Sequence, residues 1–402
     1  MGDFYQTGVI STLHRFTANN VDRMEAEIKR FSRTTPIALI LPCLYSELEG
    51  PAMPRIAEEL KKVKYLRQIV VGLDKADADQ FKKAREFFAA LPQEKRIVWN
   101  DGPALTKLYD QLSANGISAG PPGKGRNVWM CFGFILADEK AKAIALHDCD
   151  ILTYSRELLA RLCYPVVNPG LAYEYAKGYY ARITDRFHGR VTRLFVSPLV
   201  RTLLKMVGYH PYLAFLDSFR YPLAGEFSLS VDLARNVRIP SDWGLEIGFL
   251  GEVFRNCATR RICEVEICDV YDHKHQSLSA DDPTTGLSRM SLDITKSLLR
   301  TLAGEGVVIS DAFIRSLRVS YLRMAQDTIK KYADDAALNG LVFDRHEEGT
   351  AVETFAKVIE QAVKEFLQDP LGTSLISNWS RVTAAFPDFL ERLKAAVDED
   401  NK

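Results

Sequence analysis

The chain has 402 residues, of which 47% are hydrophobic and 26% are charged, so it has ample material for a buried core and two domains. Basic and acidic residues number 52 each, and this balance excludes a global field that would attract nucleic acid or an anionic membrane. The seven cysteines form no CxxC pair, which argues against zinc fingers and a disulfide framework. We find no secretory signal and no membrane-length apolar run, so we expect a soluble, cytoplasmic protein.

The first 150 residues alternate amphipathic stretches with short apolar runs. Val21, Met24, Ile28 and Phe31 share one face of a first predicted helix, and the apolar runs that follow are typical of strands. Such alternation predicts a parallel sheet with helices on both faces. The predicted strands are 36–44, 67–74, 95–101 and 142–150, and the next predicted helices are 51–63 and 125–140.

Several residues fall at the predicted strand ends, where the ligands of such sheets gather. Asp148 and Asp150 are the most informative, because two nearby carboxylates repel each other unless a positive charge lies between them. A hard divalent cation such as Mg²⁺ or Mn²⁺ would supply that charge, although two solvated turn aspartates would give the same pattern. The residues that we expect to share this crevice are Pro42, Asp74, Asp101, Asp148 and Asp150.

The pattern changes twice in the second half of the chain. Residues 172–183 and 261–276 alternate like strands, so the sheet is expected to be mixed beyond residue 150. From Ser288 onward the sequence predicts only amphipathic helices, separated by glycine, proline and polar turns. We therefore expect a first domain at 1–285 and a helical domain at 286–402. The apolar stripes of this second domain predict a packing and dimerisation element, and hence a homodimer.

Two motifs combine glycine with a basic residue ahead of a predicted helix. Lys124 stands between Gly123 and Gly125, where backbone N–H groups and a helix N-terminus favour an anion, although the spacing is not that of a Walker A loop. Arg190 and Thr192 offer a planar fork and a hydroxyl, which suit a small phosphate or carboxylate. A Gly-Pro connection with an incidental lysine and the basic face of a surface helix are the structural alternatives.

Two later stretches carry side chains that suit a metal or a sugar. His273 or His275 could supply a neutral imidazole as a third ligand of the cation, although an isolated histidine is usually structural or exposed. Glu226 and Glu246 stand close to glycines and aromatic residues, a combination found in sugar sites and equally in ordinary turns.

The order of these motifs along the chain is more specific than any one of them. Their succession resembles the glucosyl-3-phosphoglycerate synthase family and its mannosyl-3-phosphoglycerate relatives. The resemblance covers about residues 36–280 and is most specific in PGKGRNVW, HDCDI, GRVTRLFVSPLV, PLAGEFSLS and WGLEIGFL. It implies a GT-A fold, which is a Rossmann-like mixed α/β sheet flanked by helices, with an all-helical C-terminal region.

The resemblance also implies an activity. Members of this family are retaining glycosyltransferases that use Mg²⁺ or Mn²⁺ and move a hexose from a nucleotide sugar to the 2-hydroxyl of 3-phosphoglycerate. UDP-glucose is the favoured donor, which would make glucosyl-3-phosphoglycerate the product. GDP-mannose as donor and free glycerate as acceptor stay open, because a few loop and backbone contacts decide between them. A nucleotide-sugar-binding protein without catalysis is the alternative from another class.

The roles of individual residues are likewise implied by the resemblance. The ribose contact is open between Ser46 and Glu47, because this chain reads LYSELEG where the family has an Asn-Glu-Glu-like run. His273 is the implied third metal ligand, with His275 as the alternative. The implied residues are Pro42, Cys43, Leu44, Ser46, Glu47, Asp74, Gly123, Lys124, Asp148, Gly225 and Glu226 for the nucleotide sugar, Gly189, Arg190, Val191 and Thr192 for the acceptor, Asp150, Asp148 and His273 for the metal, and Asp150, Lys124 and Glu246 for catalysis.

Overall fold

The hydrophobic runs of the sequence assemble into one sheet. A computed structural model describes residue 6 and residues 8–17, 20–272, 286–372 and 375–402, and within these residues the sheet has eight strands in the order β1-β8-β6-β7-β5-β2-β3-β4. The strands are β1 (Ser11–Leu13), β2 (Ile37–Leu44), β3 (Leu66–Asp74), β4 (Glu94–Trp99), β5 (Ala143–Leu146), β6 (Tyr175–Ala181), β7 (Phe227–Ser230) and β8 (Ile262–Val270).

The sheet is parallel in its first half and mixed as a whole. β2, β3, β4 and β5 are parallel to one another, as the alternating pattern predicts, and their runs are apolar because both faces of the sheet are covered. β7 lies antiparallel to both β5 and β6, which confirms the mixed sheet. β2 ends at Leu44, as predicted, and Pro42 lies two residues before that end, where it still pairs with Gly72 of β3.

Helices cover both faces of the sheet and make up the C-terminal part of the chain. None of the helices that the structure describes is both long and apolar enough to cross a membrane. They are α1 (Val21–Phe31), α2 (Tyr45–Leu48), α3 (Ala52–Lys62), α4 (Ala78–Ala89), α5 (Pro103–Ala114), α6 (Lys124–Asp138), α7 (Arg156–Val167), α8 (Ser197–Val207), α9 (Pro211–Asp217), α10 (Val231–Asn236), α11 (Leu245–Asn256), α12 (Gly286–Gly304), α13 (Asp311–Asn339), α14 (Arg345–Gln368), α15 (Trp379–Ala385) and α16 (Phe389–Asp400).

Strand register places the predicted site residues at one edge of the sheet. In the antiparallel pair of β5 and β7, Leu146 lies opposite Phe227. Two residues beyond that pair on each strand are Asp148 and Gly225, so the register alone brings them together. α6 begins at Lys124 near the same edge, since its first residue contacts Asp148.

The C-terminal helices share the core of the sheet domain. Trp379 of α15 stacks on Trp129 of α6 with ring centroids 4.3 Å apart. The two indoles are also tied by hydrogen bonds, because Trp379 Nε1 donates to the carbonyl of Trp129 at 3.0 Å and Trp129 Nε1 donates to the carbonyl of Ser377 at 2.8 Å. Gly133 permits this approach, since a β-carbon there would lie 2.1 Å from the Trp379 ring.

The apolar stripes of the C-terminal helices are covered within the chain. Leu298, Leu317, Tyr321, Phe355 and Ile359 are fully buried and belong to the same hydrophobic cluster as the strands and α6. Because these side chains are buried within the chain, the stripes do not support the predicted dimerisation element. The homodimer itself and the division at residue 286 stay predictions.

Replacing Trp379 with alanine should therefore destabilise the whole protein. We expect the free energy of unfolding to fall by about 3–5 kcal/mol, the usual cost of truncating a fully buried aromatic side chain. Equilibrium unfolding in urea measures it. Trp243 is 47% exposed, and its replacement with alanine is the matched control, with an expected change within about 0.5 kcal/mol. A W379A variant as stable as the control would mean that the C-terminal helices do not share the core.

Candidate active site

The central contact of the site is an ion pair between two predicted residues. Lys124 Nζ lies 2.7 Å from Asp148 Oδ1 and 3.5 Å from Glu246 Oε1. Burial by itself would lower the pKa of the Lys124 ammonium, but the carboxylates of Asp148 and Glu246 outweigh burial and the pKa is raised. Lys124 therefore carries a firm positive charge at the edge where the sequence predicts an anionic ligand.

No second cation is supplied by the histidine next to Asp148. His147 is fully buried, and burial lowers the pKa of its ring to about 4, so the ring is neutral at neutral pH. Its Nδ1 lies 3.0 Å from the carbonyl of Asp148. Lys124, and not His147, therefore supplies a positive charge next to Asp148.

Gly225 lets the two strands meet at this point. A β-carbon on Gly225 would lie 2.5 Å from Asp148 Oδ2, closer than a β-carbon approaches such an atom, and 3.1 Å from Lys124 Nζ, a tight contact. The absence of a side chain is therefore required by the ion pair itself. Glycine at this position was predicted as part of the nucleotide-sugar site, and the structure places it against two other predicted residues.

Lys177 is a charged residue of the site that sequence reasoning missed. It is 2% exposed on β6 and lines a small cavity of about 20 Å³ together with Lys124, Gly225 and Glu246. Burial lowers the pKa of Lys177 to about 8, against the raising effect of the nearby glutamates. Its Nζ donates to the carbonyl of Ala224 at 2.6 Å, which fixes the turn that carries Gly225.

Glu226 lies behind the turn and is fully buried. Its carboxylate accepts the hydroxyl of Tyr180 at 2.9 Å on Oε2 and the hydroxyl of Tyr271 on Oε1. The two tyrosine rings stack with centroids 3.8 Å apart. Burial, followed by the charge of Asp148, raises the pKa of Glu226. This geometry gives Glu226 a supporting place beneath the site, and its predicted contact with the nucleotide sugar stays a prediction.

Of the predicted metal ligands, Asp148 and Asp150 lie within the described residues. Within them, no three histidine, cysteine, aspartate or glutamate side chains cluster as a metal site would require. His273 and His275 lie outside the described residues. Asp272 immediately precedes His273, and it is tied to the turn after Asp150, because its carbonyl accepts from Leu152 N at 2.9 Å and its N–H donates to Thr153 Oγ1 at 3.1 Å.

This arrangement fits a hard divalent cation. Carboxylate oxygens are the ligands that Mg²⁺ prefers, and such an ion commonly takes one or two carboxylates plus phosphate oxygens. Asp148 and Asp150 carry carboxylates just beyond the end of β5, and their assignment as metal ligands stays a prediction. The chain segment that leads to His273 is hydrogen-bonded only two to three residues beyond Asp150.

The predicted nucleoside-binding residues cluster at the ends of β2 and β3. Cys43 is buried, and its thiol contacts the thiol of Cys149, which joins the end of β2 to the turn between the two aspartates. Asp74 ends β3, where burial raises its pKa to about 6 and hydrogen bonds from Asn127 and Asn100 oppose that rise. Pro42, Leu44, Ser46 and Glu47 lie along the same strand end and α2.

The predicted acceptor motif adjoins the Gly225 turn. Gly189 has a φ of +66°, and a β-carbon there would lie 3.1 Å from the hydroxyl of Tyr221. Tyr221 belongs to the same turn, since its carbonyl accepts from Ala224 N at 3.1 Å. Val191 begins a single turn of π-helix, Val191–Val196, a rare conformation that is frequent at functional sites.

Two side chains of this motif present polar groups. The hydroxyl of Thr192 is buried and has no hydrogen-bond partner among the described residues. Arg190 uses Nε and Nη2 in ion pairs with Glu347 and Glu348 of α14. Asp101, which the sequence places in the crevice at the strand ends, accepts from the backbone N–H of Ala76 at 3.1 Å, and its charge contributes to the raised pKa of Asp74.

The fold and its relatives agree with the sequence resemblance. No protein-family model matches the chain. The mannosyl-3-phosphoglycerate synthase of Rubrobacter xylanophilus superimposes with a TM-score of 0.53 at 20% identity, over 71% of this chain and 80% of that one. The glucosyl-3-phosphoglycerate synthase of Mycobacterium tuberculosis, in complex with Mn²⁺, UDP and phosphoglyceric acid, superimposes with a TM-score of 0.53 at 19% identity, over 75% and 88%. These likenesses confirm the GT-A fold.

Two curated relatives match along the full length. The glucosyl-3-phosphoglycerate synthase of Persephonella marina is 49% identical over 401 residues, which are 100% of this chain and 99% of that protein. The glucosyl-3-phosphoglycerate synthase of Methanococcoides burtonii is 39% identical over 405 aligned positions, covering 100% of this chain and 98% of that protein. The chain is a glycosyltransferase that belongs to the glucosyl-3-phosphoglycerate synthase family.

Proposed function

We propose that the protein transfers glucose from UDP-glucose to the 2-hydroxyl of 3-phosphoglycerate, with retention of configuration, and that it requires Mg²⁺ or Mn²⁺. The observation that carries the proposal is the convergence of Lys124, Asp148 and Glu246 against Gly225, beside the motif of Gly189 and Arg190. Two full-length relatives bear the name of this activity, and a solved structure of the same fold holds Mn²⁺, UDP and phosphoglyceric acid.

On the donor side, Lys124 would balance the negative charge of the departing diphosphate. Breaking the bond between glucose and UDP leaves negative charge on the diphosphate, and the firmly protonated Lys124 is placed to offset it. A bound divalent cation would add Lewis-acid stabilisation of the same charge. Asp150 and Asp148 would hold that cation together with His273. The hydrogen bonds between Asp272 and the turn after Asp150 support this choice of ligands.

On the acceptor side, the Gly-Arg-x-Thr motif would hold the phosphate of 3-phosphoglycerate. Arg190 supplies a guanidinium, Thr192 supplies a buried hydroxyl without a partner among the described residues, and both suit phosphate oxygens. Fixing the phosphate would orient the 2-hydroxyl toward the anomeric carbon and lower the entropic part of the barrier.

The placement of the carboxylates favours attack from the front face of the sugar. Both oxygens of Glu226 accept hydrogen bonds from tyrosine hydroxyls, and Glu246 Oε1 lies 3.5 Å from Lys124 Nζ. To attack the sugar as a nucleophile, either carboxylate would have to give up these contacts. We propose that the departing phosphate takes the proton of the 2-hydroxyl. The oxocarbenium-like character of the anomeric carbon would then develop next to the Gly225 turn.

A panel of donors and acceptors tests the proposed function. With Mg²⁺ or Mn²⁺, UDP-glucose and 3-phosphoglycerate should release UDP at a rate at least about tenfold above GDP-mannose or free glycerate. With free glycerate, the missing phosphate leaves the Thr192 hydroxyl and Nη1 of Arg190 without the hydrogen bonds that the proposal assigns to them. Removal of the metal with EDTA should abolish release. Faster turnover of GDP-mannose would assign the mannosyl reaction, and no release with any pair would contradict catalysis.

A methyl group at Gly225 should disable the site without unfolding it. The G225A variant places a β-carbon against Asp148 and Lys124, so the ion pair must shift. We expect turnover to fall by about a hundredfold, the effect of a 1 Å misplacement at a reacting centre. G251A is the matched control, because a β-carbon there meets neighbours only at 3.5 Å, and it should keep turnover within about twofold. Equal activity of the two variants would contradict the role of this turn.

Removal of the Arg190 side chain should act on the acceptor alone. In R190A we expect the KM for 3-phosphoglycerate to rise about ten- to a hundredfold, because a charge-assisted hydrogen bond is worth about 1.5–3 kcal/mol, while the KM for UDP-glucose changes by less than about twofold. Arg186 is half-exposed on the same loop, so R186A is the control. An unchanged acceptor KM in R190A would refute the assignment of the phosphate site.

A further inference from the structure

The arginine of the predicted acceptor motif is held by a residue of the C-terminal helices. Glu348 in the first turn of α14 accepts hydrogen bonds from Arg190 Nε at 3.2 Å and from Arg190 Nη2 at 3.0 Å. The same carboxylate accepts from Arg193 Nη1 at 3.1 Å. Glu348 thus bridges two guanidinium groups that belong to one turn of the chain.

The bridge is buried, which distinguishes it from an ordinary surface ion pair. The side chains of Glu348 and Arg193 are 7% and 9% exposed, whereas Glu347, which also contacts Arg190 Nη2, is 56% exposed. Water competes little for a buried carboxylate that two arginines share. The hydrogen bonds of such a carboxylate are therefore held in place more firmly than those of an exposed ion pair. Glu347 can move away without leaving a buried charge unpaired.

Further contacts hold the same loop to α13 and α14. Arg193 lies over the ring of Tyr332 at 4.9 Å, and its Nε donates to the carbonyl of His188 at 2.9 Å. Val342, between the two helices, donates its N–H to the carbonyl of Asp185 at 2.8 Å. The loop that leads to Arg190 is therefore braced along its length by the C-terminal region.

The side of Arg190 that Glu348 does not touch is the side available for a ligand. The ion pairs of Arg190 use Nε and Nη2, and Nη1 takes part in neither of them. Thr192, two residues along, carries the buried hydroxyl without a partner among the described residues. A carboxylate that occupies one edge of a guanidinium orients the remaining N–H groups, because the group is planar and rigid.

We propose that Glu348 is a positioning residue of the acceptor site, which orients Arg190 so that Nη1 meets the acceptor phosphate. This inference rests on the proposed function. It gives the C-terminal helices a part in the reaction beyond packing, since α14 supplies the group that sets the direction of a guanidinium in the sheet domain.

The test compares E348Q with R190A, with the double variant R190A/E348Q and with E353Q, a control that makes the same change at an exposed position of α14. Steady-state kinetics with both substrates and the melting temperature are measured for each. In E348Q we expect the KM for 3-phosphoglycerate to rise about tenfold, with the KM for UDP-glucose and kcat within about twofold, because a charged acceptor of Arg190 has become neutral.

The double variant separates positioning from mere support of the fold. If Glu348 acts through Arg190, R190A/E348Q should bind 3-phosphoglycerate no more weakly than R190A alone, because coupled residues are not additive. Should E348Q fail to fold, E348D keeps the charge but withdraws the carboxylate by one methylene, and it should show the same selective rise in acceptor KM.

Two results would overturn the inference: an unchanged acceptor KM in a folded Glu348 variant, or additive losses in the double variant. Failure of the proposed function would look different, because the unaltered enzyme itself would then release no UDP from UDP-glucose and 3-phosphoglycerate.

Discussion

The site depends on one electrostatic constraint, the meeting of the Asp148 and Glu246 carboxylates with the Lys124 ammonium group at the edge of the sheet. Asp148 follows β5, Glu246 lies in the first turn of α11 and Lys124 begins α6, so three separate elements must be in register before the charges can balance. The balance is local, since the chain as a whole carries no net charge. Gly225 is part of the same constraint, because any side chain there would occupy the place of the Asp148 carboxylate.

The C-terminal helices belong to this account because they are packed into the sheet domain at two places. Trp379 stacks on Trp129 in the middle of α6, the helix whose first residue is Lys124. Glu348 reaches the opposite side of the site, where it contacts Arg190 and Arg193. Proposed donor and acceptor groups are thus both supported from the same region, and the matches to the two full-length relatives span that region as well.

Much of the fold follows from the sequence, and the misses have physical causes. The apolar runs and their glycine and proline boundaries predict β2 to β5 and α6, while α15 escapes because seven residues show no clear period. Lys177 gives no local signal, since a lysine in a strand is usually solvent-facing and only the neighbouring strands bury it. Glu348 is 158 residues from Arg190, so only the tertiary packing can join them. The motifs singled out Lys124 and Asp148 separately, because one stands between glycines and the other at a strand end, and only the structure shows that they form an ion pair.

The most direct test of the account is an anomalous difference map from crystals grown with UDP and Mn²⁺. We expect a single manganese peak beside the Asp150 carboxylate at about 2.0–2.2 Å, close to the distance typical of Mg²⁺, with the diphosphate of UDP between that ion and Lys124. Manganese and UDP bound elsewhere, with Asp148 and Lys124 still paired as they are here and touching neither, would contradict it.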